Sequence, residues 1–283
     1  MTARTLSGSA LAAELRDEVA TEVAALGAAG TRVRLAIVTA TDDPSSAWYV
    51  QSIAKACGKV GIDADIVDLG PSASADLIGN TLRDLSRDAE VGGIILQTPL
   101  PAGVELTRMA ENIDVAKDVD GVNPHSIGRL VAGAEAFAPA TAEAVVALMD
   151  HHGIAPAGQE VVIVGRSLVV GKPLAHLLLR RDATVTVAHS RTRDLPSVTG
   201  RAGIVVAAAG RQHLITPGHV RPGAVVVDVG TNATADGGLA GDVDPAVAEV
   251  ASAMSPVPGG VGPVTTALLL RHVVRAVERC LPD

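Results

Sequence analysis

The stretch with the clearest chemical content runs from Val161 to Pro173, Val-Val-Ile-Val-Gly-Arg-Ser-Leu-Val-Val-Gly-Lys-Pro. Four β-branched or apolar residues, Val161 to Val164, read as a buried strand. Gly165 breaks it, and an apolar helix is predicted from about Val170 to Leu179. Strand, glycine turn and helix start together make a phosphate cradle, because free N–H groups and the positive end of the helix dipole converge on an anion. The spacing from Gly165 to Gly171 is not the usual Gly-x-Gly-x-x-Gly of dinucleotide sites. The pattern alone therefore leaves two readings open, a nucleotide site and a plain βα turn of a parallel sheet. A second glycine-rich loop, Ser255-Pro-Val-Pro-Gly-Gly-Val-Gly-Pro263, opens a final helix predicted from Val264 to about Arg279, with Pro263 suited to its first turn. Between them in kind lies the polar stretch Asn112 to Gly128. It is too long and irregular for a mere connector, and such loops are often functional.

The surrounding elements are legible from periodicity. Leu11, Leu15, Val19, Val23 and Leu26 recur at helical spacing, with Ser7 or Ser9 as cap and Gly27 as stop. Strands are predicted at 33–39, 64–69 and 92–96. Helices are predicted at 47–60, ended by Gly61, and at 75–85. A helix at 142–150 bridges into a second domain, where strands near 161–164, 184–188, 203–208 and 224–229 alternate with helices. This βαβα rhythm implies parallel sheets with right-handed crossovers.

Composition narrows the function classes. The 283 residues allow one large domain or two modest ones, and 48% hydrophobic against 19% charged residues supports a sizeable core. Trp48, Tyr49 and Phe137 are the aromatic residues, so stacking platforms for nucleic acid are nearly excluded, and a net charge of −8 argues further against such a partner. Cys57 and Cys280 make neither a disulfide framework nor a metal spacing, which suits a reducing cytoplasm. Glu14, Arg16 and Asp17 interrupt any signal-peptide core, and no uncharged run is long enough to span a bilayer.

Four motifs in register carry a resemblance. Gln97-x-Pro-Leu-Pro101, Lys117-Asp-Val-Asp-Gly121, Gly165-Arg-Ser-x-x-Val-Gly-x-Pro173 and Pro256-Val-Pro-Gly-Gly-Val-Gly-Pro263 together resemble the bifunctional methylenetetrahydrofolate dehydrogenase/cyclohydrolase family. The likeness extends to Tyr49-Val50, Lys55-Ala56-Cys57, His189-Ser190-x-Thr192, Ala209-Gly210-Arg211 and Asp228-Val229-Gly230. It implies an α/β protein of two lobes. The first, residues 1–140 plus 264–283, is a parallel-sheet folate lobe completed by the C-terminal helix. The second, residues 141–263, is a Rossmann-like, doubly wound NADP-binding lobe. It further implies a folate in the cleft between lobes and a homodimer. Cofactor contacts carry over to Gly165, Arg166, Ser167, Ser190 and Thr231. Folate and catalytic contacts carry over to Tyr49, Gln97, Asp120 and the Pro258–Pro263 loop, including Gly259, Gly260 and Val261.

The cofactor can be argued physically. An NAD site places a carboxylate at the end of the second strand to bind the ribose 2′-hydroxyl. Here that strand ends Ala188-His189-Ser190-Arg191-Thr192, without one. Ser190, Arg191 and Arg166 can hold a 2′-phosphate instead, which favours NADP, although Arg191 alone also reads as a solvated surface charge. His189 reads as a satisfied strand-end residue rather than a ligand. Asp118 and Asp120 point opposite ways in an extended segment, so at most one faces the cleft. The resemblance places Asp120 on the pterin ring, whose 2-amino pyrimidine edge offers the paired N–H groups a carboxylate accepts. Gln97 lies just past the carboxyl end of a strand, where open parallel sheets bind ligands.

One departure bears on activity. In the family the tyrosine is followed four residues later, on the same helix face, by a lysine that acts in the hydrolytic half-reaction. Here that position is Ile53, and Lys55 is about 200° further round the helix. Removing a hydride from methylenetetrahydrofolate is a positioning task. Hydrolysing the methenyl cation needs a tuned acid–base group, worth ~10²–10⁴-fold. The expectation is NADP-linked dehydrogenation with cyclohydrolase activity weak or lost. The alternatives are a fully bifunctional enzyme with a relocated acid–base group, a folate-binding paralogue without turnover, and a dehydrogenase for another iminium-type substrate. Smaller departures, Thr98 and the segment Pro139-Ala-Thr-Ala-Glu-Ala144, flank the expected folate site.

Overall fold

A computed structural model describes residues 2–234 and 237–281. In chain order the elements are β1 (Arg4–Thr5), α1 (Ser9–Ala28), β2 (Arg34–Thr39), α2 (Pro44–Val60), β3 (Asp63–Asp68), α3 (Ala75–Arg87), β4 (Gly93–Leu96), α4 (Leu106–Ala110), α5 (Pro124–Val131), α6 (Ala140–His151), β5 (Glu160–Val164), α7 (Gly171–Leu179), β6 (Thr184–Ala188), α8 (Leu195–Thr199), β7 (Ile204–Ala207), β8 (Val225–Asp228), β9 (Asn232–Ala233), β10 (Leu239–Ala240), β11 (Ala253–Met254) and α9 (Val261–Cys280). The expected α/β class and parallel sheets are what the structure contains. Among the described residues no helix is long and apolar enough to cross a membrane.

The chain divides into two compact units, one of residues 13–140 with 266–283 and one of residues 1–12 with 141–265. The sequence reading had assigned residues 1–12 to the folate lobe. They join the other unit because β1 pairs in parallel with β11, Arg4 to Ala253 and Thr5 to Met254. The outermost limits of that reading, residues 1 and 283, lie outside the described residues.

The unit of residues 13–140 and 266–283 is built on a parallel sheet ordered β3-β2-β4. A bridge between Ile94 and Asp118 adds residues 117–119 beside β4 as a short fourth rung. One face packs Val19, Val23, Leu35, Ile37, Val50, Ile53 and Cys57 with Leu270, Val273 and Val274 of α9. Helix α2 shows why such a helix forms here. Asp43 accepts the Ser46 N–H at 2.7 Å as N-cap, Pro44 opens the first turn, and Gly61 at φ 85° closes it. Its buried positions, Ser46, Val50, Ile53, Cys57 and Val60, follow the 3–4 residue repeat. Trp48, on the same helix, stays 64% exposed. Two expectations change in this unit. Helix α1 runs through Gly27 to Ala28 and is stopped by Gly30, at φ 84°. The polar stretch 112–128 is not all loop: Asn123 caps α5 by accepting the His125 N–H at 2.8 Å, and Pro124 opens that helix.

The other unit holds a six-stranded parallel sheet ordered β1-β11-β8-β7-β5-β6. Val161, Val162, Ile163 and Val164 of β5 are each at most 2% exposed, as an apolar run covered on both faces must be. Removing each such side chain from water contributes roughly 1.5–3 kcal/mol.

Candidate functional site

In the unit of residues 13–140, three segments bring polar groups together. Helix α2 carries Ser46 and, one turn on, Tyr49. Strand β4 is followed directly by Gln97, whose backbone N–H continues the ladder to Val38 O at 2.9 Å. The Gln97 amide donates to Thr98 O at 2.7 Å and lies 3.4 Å from Ser46 Oγ, which itself donates to Thr98 O at 2.8 Å. Ser46 thus ties the Gln97 loop to α2. Sequence reading passed over Ser46, although its place three residues after a cap aspartate marked it as a first-turn hydroxyl.

The parallel bridge of Ile94 to Asp118 fixes the third segment beside β4, and the chain turns directly after it. Asp118 is fully buried and accepts the N–H groups of Val122 at 3.0 Å and Asn123 at 2.9 Å. It holds the turn. Asp120 lies in the tight turn that follows, closed by the Gly121 N–H donating to Asp118 O at 3.0 Å, not in the extended segment expected from the sequence. Burial, then the neighbouring Asp118 carboxylate, push Asp120 up to about 7, against the opposing influence of His272. Burial, with Asp120's charge added, also pushes the Tyr49 phenol above its ordinary range. His272 is buried on α9, donates from Nδ1 to Val119 O at 2.8 Å and packs against Phe137, ring centroids 5.0 Å apart and tilted by 42°. His272 was not legible as part of this group, because it arrives from a helix 150 residues downstream.

Ile53 is fully buried among the core residues of this unit. Lys55 is exposed, on a different face of α2. Cys57 is buried beside Ile53, and burial pushes its thiol up to about 12.

In the other unit the candidate cradle follows β5. Gly165 has φ 136°, and a Cβ there would collide with the carbonyl oxygen of Ala208 at the end of β7. A Cβ on Gly171 would collide with the Gly165 carbonyl, so the turn is closed at both ends by glycine. Ser167 Oγ accepts the Val170 N–H at 3.2 Å where α7 begins. Arg166 and Ser167 are exposed. At the end of β6, His189 Nδ1 accepts the Arg191 N–H at 3.2 Å, and Thr192 Oγ1 accepts the His189 N–H at 2.8 Å. This small turn leaves Ser190 and Arg191 exposed and contains no carboxylate. His189 is thus a turn-forming residue. Thr231 is exposed after β8.

The loop before α9 is held by contacts no motif announced. Gly8 N–H donates to Gly259 O at 2.9 Å, and a Cβ on Gly8 would collide with Gly260 O. Pro258 is exposed, Gly259 partly so, and Gly260 and Val261 are buried. Val261 therefore packs into the first turn of α9, leaving Pro258 and Gly259 as the open part of the loop.

Residues 6–120 match the catalytic-domain model of tetrahydrofolate dehydrogenase/cyclohydrolase, and residues 139–281 match its NAD(P)-binding-domain model. The chain belongs to this family. A curated member from Rhodococcus jostii, bifunctional protein FolD 1, is 58% identical over 96% of this chain and 92% of its own. The solved dehydrogenase/cyclohydrolase of Campylobacter jejuni superposes with a TM-score of 0.94 at 37% identity, covering 98% of this chain and 99% of that one. The Trypanosoma brucei FolD, solved with NADP cofactor and inhibitor, gives 0.94 at 32% identity over the full length of both chains. Within the tetrahydrofolate dehydrogenase/cyclohydrolase family, the glycine-closed turn after β5 and the carboxylate-free end of β6 are the features that fit a phosphorylated dinucleotide.

Proposed function

We propose that this protein oxidises 5,10-methylenetetrahydrofolate with NADP and hydrolyses the resulting methenyl compound, the pair of activities named for its bifunctional relatives. The observation that carries the reading is the Gly165 turn, where only glycine fits against Ala208 and Gly171 packs on the Gly165 carbonyl, so that the chain enters α7 at the positive end of the helix dipole, which favours a phosphate. When bound, NADP supplies the hydride acceptor. Gly165, Arg166 and Ser167 line the turn at the start of α7. Ser190 and Arg191 stand where the 2′-phosphate of NADP would be met by a hydroxyl and a guanidinium rather than a carboxylate. Thr231 joins this set.

In the other unit Asp120 accepts the paired N–H groups of the pterin edge, and Tyr49 offers the ring face beside it. Gln97, its amide braced by Thr98 and Ser46, presents its remaining hydrogen-bonding capacity to the substrate. In the unit that carries the Gly165 turn, the open Pro258–Gly259 backbone offers hydrogen-bonding groups of its own. Burial pushes Asp120 up to about 7, so its grip on the pterin edge weakens as it takes up a proton near neutrality. The homodimer implied by the family resemblance belongs to this reading and is checked by sedimentation.

Ile53 favours a second reading, a dehydrogenase in which hydrolysis is weak. The side chain is fully buried and cannot titrate, so no base stands one turn beyond Tyr49. Following the near-ultraviolet absorbance of added methenyltetrahydrofolate separates the two. Loss well above the buffer rate supports the bifunctional reading. Decay at the buffer rate, together with intact NADPH formation, selects the second. In that case Ile53→Lys should restore hydrolysis by about 10²-fold.

A further inference from the structure

The nucleotide turn is bordered by a second loop that the motifs did not explain. In the sheet of residues 141–265 the chain leaves β5 for β6 on one side, and β7 lies on the other. The carboxyl ends of β5 and β7 therefore flank the switch point, where open parallel sheets take their ligands. At the end of β5 is Gly165. At the end of β7 is Ala208, against which Gly165 packs, followed by Ala209, Gly210 and Arg211.

Residues 209–211 present three consecutive N–H groups, a concavity of the kind that binds anions. It is filled from within. Asp242 Oδ2 accepts from Ala209 N at 2.6 Å and Gly210 N at 2.9 Å, and Oδ1 accepts from Arg211 N at 2.8 Å. Oδ1 also accepts from Asn232 Nδ2 at 3.0 Å, next in sequence to Thr231. Asp242 is fully buried. Its own N–H is held by Asp228 Oδ1 at 3.0 Å, and Val243 N–H by Asp228 Oδ2 at 2.9 Å. Both carboxylates sit against glycine: a Cβ on Gly230 would collide with Asp242, and one on Gly241 with Asp228.

We infer that Asp242 is a positioning residue for the nucleotide: one carboxylate, accepting four N–H groups, fixes both the 209–211 loop and the Thr231–Asn232 segment at the edge of the Gly165 turn. By occupying the 209–211 nest it also directs the dinucleotide's phosphates to Gly165 and the start of α7. The inference rests on the NADP reading above. Every donor that Asp242 meets is an N–H, so an amide in its place turns one acceptor oxygen into a donor facing other donors.

The test uses the full-length protein, with NADP affinity from calorimetry and steady-state constants for NADP and folate. Asp242→Asn should raise the Kd and KM for NADP about tenfold or more, hydrogen bonds to charged groups being the strong class. The KM for folate should stay within about twofold, a split that general destabilisation would not produce. Asn232→Ala, which removes one of the four donors, should raise the KM for NADP about threefold. A folded Asp242→Asn protein with wild-type NADP affinity overturns the inference. If Asp242→Asn does not fold, wild-type NADP constants in Asn232→Ala overturn it instead. Wild-type protein that fails to bind NADP is a different result, and overturns the functional reading itself.

Discussion

Gly165→Ala should cut NADP-linked dehydrogenation at least ~10²-fold while leaving the unit of residues 13–140 with 266–283 folded. At φ 136° the residue lies where L side chains rarely go, and its Cβ would run into the carbonyl of Ala208. The backbone strain alone costs about 1–3 kcal/mol. The collision is with main chain, so it cannot be relieved by a rotamer change, and the ends of β5 and β7 must move apart. A displacement of about 1 Å at a positioning loop can cost 10²-fold in rate. We therefore expect kcat/KM for NADP reduction to fall by at least ~10²-fold. NADP titration should show the loss as binding, and folate affinity should persist. Near-normal turnover in the variant would remove the Gly165 turn from the cofactor site.

Asp120→Asn should make the protein more stable above neutral pH and nearly inactive. Asp120 is raised from an ordinary carboxyl value of 3.8 to about 7 by burial and by Asp118. Below pH 3.8 the group is protonated whether the chain is folded or not, and contributes nothing. As pH rises toward 7, the unfolded chain releases this proton while the folded one keeps it, so stability falls across that window. The loss is complete above 7. An asparagine never ionises, so the variant should gain about 1 kcal/mol or more at pH 8 and show little gain near pH 4, one pKa unit being worth about 1.4 kcal/mol. The charged groups facing Asp120, Asp118 and His272 together with the Tyr49 phenol, remain in the variant. Activity should drop ~10²-fold if Asp120 holds the pterin edge as proposed, since an amide cannot accept both of its N–H groups. Calorimetric scans at the two pH values check the first claim, and a hydride-transfer assay checks the second. Equal stability gains at both pH values would contradict the burial argument.

Strands and most helices could be read from the sequence because their signals are local. The run Val161–Val164 is buried on both faces, and Asp43-Pro44 with Gly61 brackets α2 as caps should. The Gly27 stop failed because a helix interior tolerates one glycine, and the chain turned only at Gly30, where a positive φ was needed. Residues 1–12 were misplaced because two-residue β1 has no pattern of its own; its partner β11 lies about 250 residues away. The same distance problem hid His272, Gly8 and Asp242. Each acts on a loop far away in sequence, through a hydrogen bond or a close approach that residue spacing does not encode.

The exposed indole of Trp48 has a practical consequence for all of these measurements. It is the chain's sole tryptophan, and in the native fold it is already largely bathed in solvent. Its emission colour should barely change when the chain denatures, so fluorescence shifts will be blind to the stability differences forecast above. The same lamp sits one residue from Tyr49, and is better spent as a reporter of folate arrival.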